Sequence, residues 1–172
     1  TENHPYQANP WSWLVMGRPT SFFYDSPTDC GAKSCAREVL ALGTPLLWWI
    51  GTIAIAVVIG YWSKSLVNRT TDSAAQIVSL AIVAGYLPWF AMQQRTMFSF
   101  YAIIIAPFMV LAIVYCAKLL LDSALKPVVS QSIVGGLFAL VLLCFIYFLP
   151  LYTGQTITYD QWKMRMWFES WI

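Results

Sequence analysis

Few residues in this chain of 172 can do chemistry: one histidine, four cysteines, eight carboxylates and ten lysines or arginines. No nucleophile–base pair, phosphate-binding glycine loop or paired carboxylates stand out among them. A metal site has almost no support, because His4 is the sole histidine and CGAKSC (residues 30–35) lacks the CxxC spacing of a zinc or redox motif. Arg95 is the cation whose surroundings single it out. It stands alone between two long uncharged runs, residues 73–94 and 96–117. Read from its position alone, a guanidinium there can snorkel to anchor a helix end.

Those runs belong to a wider pattern that must position Arg95. The chain is 59% hydrophobic and only 10% charged, with a mean hydropathy of +0.61, a balance that belongs to a membrane protein. A net charge of +2 is too small to suggest nucleic acid as a partner. Residues 39–63 and 127–159 are also free of charge. About 20 apolar residues cross the hydrocarbon core, and a charge at mid-bilayer costs about 2.5–3.5 kcal/mol on insertion scales. The sequence therefore predicts an all-α membrane fold of four transmembrane helices, with cores near 45–62, 74–92, 97–117 and 133–152. Starting at Thr1-Glu2-Asn3 without an initiator Met, the chain is expected to be a fragment of a longer protein.

Lysine and arginine set the expected orientation. Lys64 and Arg69 follow the first span, Lys118 and Lys126 follow the third, and Arg95 alone lies between the second and third. This predicts a multi-pass protein of the cell membrane with both termini extracytoplasmic. The segment before the spans, residues 1–41, mixes Pro5, Pro10 and Pro19 with Trp11, Trp13, Phe22, Phe23 and Tyr24. It is expected to lie irregularly along the outer interface. Residues 42–152 form the four-helix domain. In the tail, 153–172, Met164, Trp167, Phe168 and Trp171 share helical spacing, which predicts an interfacial amphipathic helix. Cys116 and Cys144 fall inside spans as small apolar residues, whereas Cys30 and Cys35 would face an oxidising compartment, as a disulfide or as two free thiols. The sequon Asn68-Arg69-Thr70 falls in a loop predicted to be cytoplasmic and is read as chance.

Three stretches carry a further reading. HPYQANPWSWLVMGRPTSFFY (4–24), CGAKSCAREVLALGTPLLWW (30–49) and QQRTMFSFYAIIIAPF (93–108) occur in this order. Together they resemble the C-terminal four-span region of the bacterial polyprenyl- or dolichyl-phosphate-mannose protein mannosyltransferases, members of the GT-C glycosyltransferase superfamily. The HPY…W…W…RP string and the Arg-Thr-x-Phe-x-x-Tyr run before Pro107-Phe108 carry most of the likeness.

The resemblance implies transfer of mannose, with inversion, from a polyprenyl- or dolichyl-phosphate carrier to Ser or Thr of proteins crossing the membrane. It implies that the acidic catalytic pair lies in a first outer loop of an N-terminal half that this chain lacks, so the chain alone is expected to be inactive. No cofactor is implied. The partners implied are the carrier-linked mannose donor, secreted Ser/Thr acceptors, the bilayer and the N-terminal half of the same enzyme. Arg95 is then expected on the lipid-phosphate side of the site, with Arg18 and Arg37 as weaker candidates whose alternative is interfacial anchoring. His4 and Tyr6 either line the active-site rim or pack a loop shaped by Pro5. Two other classes stay open. A non-catalytic membrane scaffold needs only the spans. A transporter half would use helix breaks at Pro88, Pro107 or Gly135-Gly136, yet no charge accompanies them.

Overall fold

A computed structural model describes residues 4–172. Four helical segments are long and apolar enough to cross a membrane: Pro45–Val67, Ser73–Met92, Ser99–Leu121 and Pro127–Thr153. The first is α2 and the last α5, after a short α1 at Pro10–Trp13. Their outward faces are apolar, with Val128 and Phe138 of α5 more than 70% exposed. Water would penalise such a surface at about 25 cal/mol per Å2, whereas lipid tails do not. Three hydroxyls within the spans turn back on their own helix: Thr52 Oγ1 donates to Trp48 O (3.0 Å), Ser63 Oγ to Ile59 O (2.8 Å) and Thr153 Oγ1 to Leu149 O (2.9 Å). Local acceptors let these groups enter hydrocarbon at little cost. The chain is a multi-pass membrane protein.

Proline shapes the middle spans. The second runs as α3 (Ser73–Tyr86) and then as a 3-10 helix, Leu87–Met92, in which Pro88 lacks the N–H that the α ladder would use. The third mirrors it, with a 3-10 turn at Ser99–Ile105 leading into α4 (Ala106–Leu121), where Pro107 occupies the first turn. Gly135 and Gly136 leave α5 unbroken and face open space.

The chain falls into two compact units: Leu46–Met92 with Ala102–Val141, and the chain up to Pro45 with Gln93–Tyr101 and Leu142–Ile172. Within the first, Gly51 lets α2 meet the side chain of Met109, which fills the space a Cβ would take. The α2–α3 loop is fastened by Asp72. Its Oδ1 caps α3 by accepting from Ala75 N (3.0 Å), and its Oδ2 accepts from Tyr115 Oη (2.6 Å).

The second unit departs from the expectations for both tails. An antiparallel pair, β1 (Thr20–Asp25) and β2 (Cys35–Ala41), replaces part of the irregular segment expected over 1–41, with a bulge between Ser21 and Phe23. β3 (Ile157–Thr158) adds to β2, giving the order β1-β2-β3. Ala36, Glu38 and Leu40 alternate inward, a period of two hidden in the sequence because Glu38 reads as a surface charge. The amphipathic helix expected in the tail is also corrected. α6 spans only Tyr159–Lys163, and a 3-10 turn at Glu169–Trp171 follows it. Specific contacts override the helical period: Tyr147 Oη donates to Met164 O, Arg165 Nε to Tyr147 O and Trp171 Nε1 to Met16 O. Trp171 is buried while Met164 is exposed, so the proposed stripe does not share one face.

Asp72→Ala removes a helix cap and strands the Tyr115 hydroxyl. It should lower stability by about 1 kcal/mol at neutral pH, read as a lower melting temperature in detergent. The Ala75 amide, then the Tyr115 hydroxyl, hold the Asp72 carboxyl below its ordinary value of 3.8. Its contribution is therefore complete above the unfolded pKa of about 4 and is lost as pH falls through the lowered folded value. A gap between wild type and variant that stays constant from neutral pH into strong acid would contradict this account.

Candidate functional site

The N-terminal segment forms a strap whose conformation is locally determined. Asn9 lies before Pro10, which drives it into the extended region (φ −75°, ψ 143°). Its Oδ1 caps α1 by accepting from Trp11 N (3.2 Å), with Pro10 at the first helical position. Trp13 is buried and donates Nε1 to Ala8 O (3.0 Å). Met16 ends the turn at φ 57°, an uncommon value for a residue with a Cβ. Its carbonyl accepts from Trp171 Nε1 (2.7 Å), while Gly17 O accepts from Ser170 Oγ.

This strap grips the loop between the second and third spans. Ala8 N donates to Met97 O (2.9 Å), and Asn9 Nδ2 donates to Gln93 Oε1 (3.2 Å). Aromatic edges continue the contact. His4 meets Phe98 in a T-shaped pair at 5.0 Å, Trp13 meets Tyr101 at 6.2 Å, and Phe22 lies 5.4 Å from Phe100. Met97 is buried beneath them.

Arg95 sits midway between the two tethered residues and is exposed. Among the described residues the ion pairs are Arg37–Asp25 and Lys118–Asp122, so Arg95 is unpaired among them. Its guanidinium has its full set of donors to offer an anion.

His4, Tyr6 and Arg18 meet at the turn around Pro5. His4 Nδ1 accepts from Tyr6 N (3.2 Å), closing a tight turn around Pro5. Arg18 holds that turn, donating Nε to Pro5 O (2.6 Å) and Nη1 to Ser170 O (3.3 Å), with its charge 6.0 Å from the Tyr6 ring. Arg37 is placed differently. On β2 it pairs with Asp25 (2.9 Å) and lies over Phe23 at 5.3 Å, and none of its described contacts reaches His4, Tyr6, Arg18 or Arg95.

Residues that the sequence did not single out hold the strap, the loop and the sheet. Asn9 and Gln93 form the tether, and Asn-Pro opening an apolar turn is the signal that could have marked Asn9 as a cap. Glu38 is buried and accepts from Trp162 Nε1 at 2.5 Å, fixing α6 against β2. Gly154, at φ +66°, turns the chain from α5 towards β3 with Val39 Cγ2 3.0 Å from the space a Cβ would fill. Cys30 and Cys35 are bonded Sγ to Sγ, with Cα atoms 5.9 Å apart, at the entry to β2.

Four apolar spans, with a strap tethered to the loop that carries Arg95, define a membrane-embedded module. Residues 1–171 match the family model described as the C-terminal four TMM region of protein-O-mannosyltransferase, and the chain belongs to that family. The polyprenol-phosphate-mannose–protein mannosyltransferase of Mycolicibacterium smegmatis is 35% identical over 180 residues, covering 98% of this chain and 33% of that protein. The protein of the same description from Corynebacterium glutamicum is 32% identical, with 98% and 32% covered. The chain thus spans about a third of the length of these relatives. Among solved structures, the S. cerevisiae protein O-mannosyltransferase Pmt1-Pmt2 complex bound to the sugar donor is similar in fold. Its TM-score is 0.76 at 21% identity, over 100% of this chain and 24% of that one.

The bonded cysteine pair generates a prediction. Peptide mapping of unreduced protein purified from membranes should recover Cys30 linked to Cys35. The short loop makes the link worth only about 2 kcal/mol of local order in the chain-entropy view. Alkylation of both thiols without prior reduction would contradict it.

Proposed function

We propose that this chain is the C-terminal membrane part of a polyprenyl- or dolichyl-phosphate-mannose protein O-mannosyltransferase, and that it supplies the lipid-phosphate side of the site. The acceptors are Ser or Thr hydroxyls of proteins crossing the cell membrane. The acid–base chemistry belongs to the N-terminal part of the same enzyme. The observation that carries this reading is Arg95: exposed, unpaired among the described residues, and held on a tethered loop at the end of two spans.

The chemistry favours a guanidinium at that place. A carrier-linked mannose is a phosphodiester with a single negative charge. As the sugar leaves, the carrier becomes a phosphomonoester and gains a second charge. A cation at the membrane boundary therefore interacts more strongly with the transition state than with the bound donor, which is the condition for accelerating the reaction. His4 and Tyr6 line the rim beside Phe98, and Arg18 holds their turn. Arg37, neutralised by Asp25, serves the sheet.

In the full-length enzyme, Arg95→Ala should lower kcat/KM for the carrier by about 10- to 150-fold, the equivalent of a charge-assisted hydrogen bond worth about 1.5–3 kcal/mol. Arg95→Lys should recover only part of that loss, because an ammonium keeps the charge without the planar fork. Wild-type transfer to an acceptor peptide by Arg95→Ala, normalised to folded protein, would remove the phosphate role and leave a snorkelling anchor.

The reading also requires the Arg95 loop to face outward. Lys64, Arg69, Lys118 and Lys126 lie at the opposite span ends, which the positive-inside rule assigns to the cytoplasm. Single cysteines at the exposed positions Thr71 and Ser123 should resist impermeant thiol reagents in intact cells, while one at Gln155 should react. The reverse pattern would overturn the orientation.

A further inference from the structure

Residues 93–98 have no regular secondary structure of their own, yet Arg95, unpaired among the described residues, stands among them. We propose that Asn9 and Gln93 are positioning residues for Arg95, acting through the hydrogen bond between their side-chain amides. This rests on the reading of Arg95 as the carrier-phosphate ligand.

Two tethers, from consecutive residues of the strap, bracket Arg95 symmetrically. Ala8 N reaches Met97 O at 2.9 Å and Asn9 Nδ2 reaches Gln93 Oε1 at 3.2 Å, each two residues from Arg95. The Ala8 tether is backbone to backbone and almost any residue could make it. The Asn9 tether depends on side-chain identity, and its polarity is fixed. Asn9 Oδ1 is engaged by Trp11 N as the cap of α1, so the amide must turn Nδ2 towards the loop, and Gln93 must answer with its oxygen. The donor end does not drift, because Ala8, Pro10 and Trp13 are buried around it. On the Gln93 side of the loop, Gln93, Gln94 and Arg95 are all exposed.

A single exposed amide pair adds little to the stability of a fold. Its effect here is geometric. A guanidinium must meet a phosphate within a few tenths of an ångström to form two parallel bonds, and losing one end of the loop releases that constraint.

The test uses the full-length enzyme with polyprenyl-phosphate-mannose and an acceptor peptide. Gln93→Met keeps length and removes the acceptor. Asn9→Ser keeps a cap for α1 and removes the donor, and it serves where the first variant lowers the folded yield. Each should lower kcat/KM for the carrier by about 3- to 10-fold, the range that one hydrogen bond's net contribution gives. The KM for the acceptor peptide and the melting temperature should stay at wild-type values. In an Arg95→Ala background the same substitutions should cause no further loss, because they act only through Arg95. An equal loss in both backgrounds, or no loss in the enzyme that keeps Arg95, would overturn the positioning role. Wild-type kinetics in Arg95→Ala alone would instead overturn the phosphate reading on which it rests.

Discussion

A bilayer admits neither a lone charge nor an unpaired peptide group at low cost, and this constraint governs where the chain can place chemistry. Its four spans carry no charge over their central stretches, and hydroxyls such as those of Thr52, Ser63 and Thr153 bond back to their own helices. Polar function is thereby pushed to the span ends. At one of those ends the loop from Gln93 to Phe98 is held by a strap, through Ala8, Asn9, His4 and Trp13. The strap can do this because Pro10, Trp13 and Pro19 are buried while Asn9 remains at the surface.

The tail supports the strap from its other side. Ser170 and Trp171 bond the carbonyls of Gly17 and Met16, and the Ser170 carbonyl accepts from Arg18, whose Nε holds the turn at Pro5. Glu38, buried against Trp162, ties α6 to the sheet. A lone buried carboxylate is costly unless it is hydrogen-bonded, and the indole N–H answers it. Long-range contacts of this kind explain why a short three-stranded sheet persists where the strands alone would be marginal.

The spans were legible because charge gaps report hydrocarbon directly; the observed segments reach or run past the expected ends, except that the third begins at Ser99 rather than at 97. Lys64 and Lys118 sit in the last turns of α2 and α4, where a cation suits the helix C-terminus, so gap-reading stops too early there. α5 begins at Pro127 rather than near 133 because proline suits the first turn and Ser130 bonds back to Pro127 O. The HPY and Arg-Thr strings carried the family. The sheet was not legible, since β2 and β3 are far apart in sequence and β3 has two residues. The tail's helical period was genuine in the sequence but lost to contacts at Met16, Gly17 and Tyr147. Among the candidate cations, the sequence already ranked Arg95 ahead of Arg18 and Arg37, and the structure adds that those two are engaged by carbonyls and by Asp25. The Asn9–Gln93 tether, between two uncharged amides, leaves no compositional trace.

The central claim is that the carrier phosphate rests against the Arg95 loop, and crosslinking reads that position directly. A photoreactive phenylalanine analogue replacing Thr96 in the full-length enzyme, illuminated with polyprenyl phosphate, should yield a lipid adduct on the peptide that contains residues 93–98. Excess unlabelled polyprenyl phosphate should suppress the adduct, and the uncharged polyprenol should not. Equal suppression by both lipids, or an adduct that forms unchanged when Arg95 is alanine, would contradict the account.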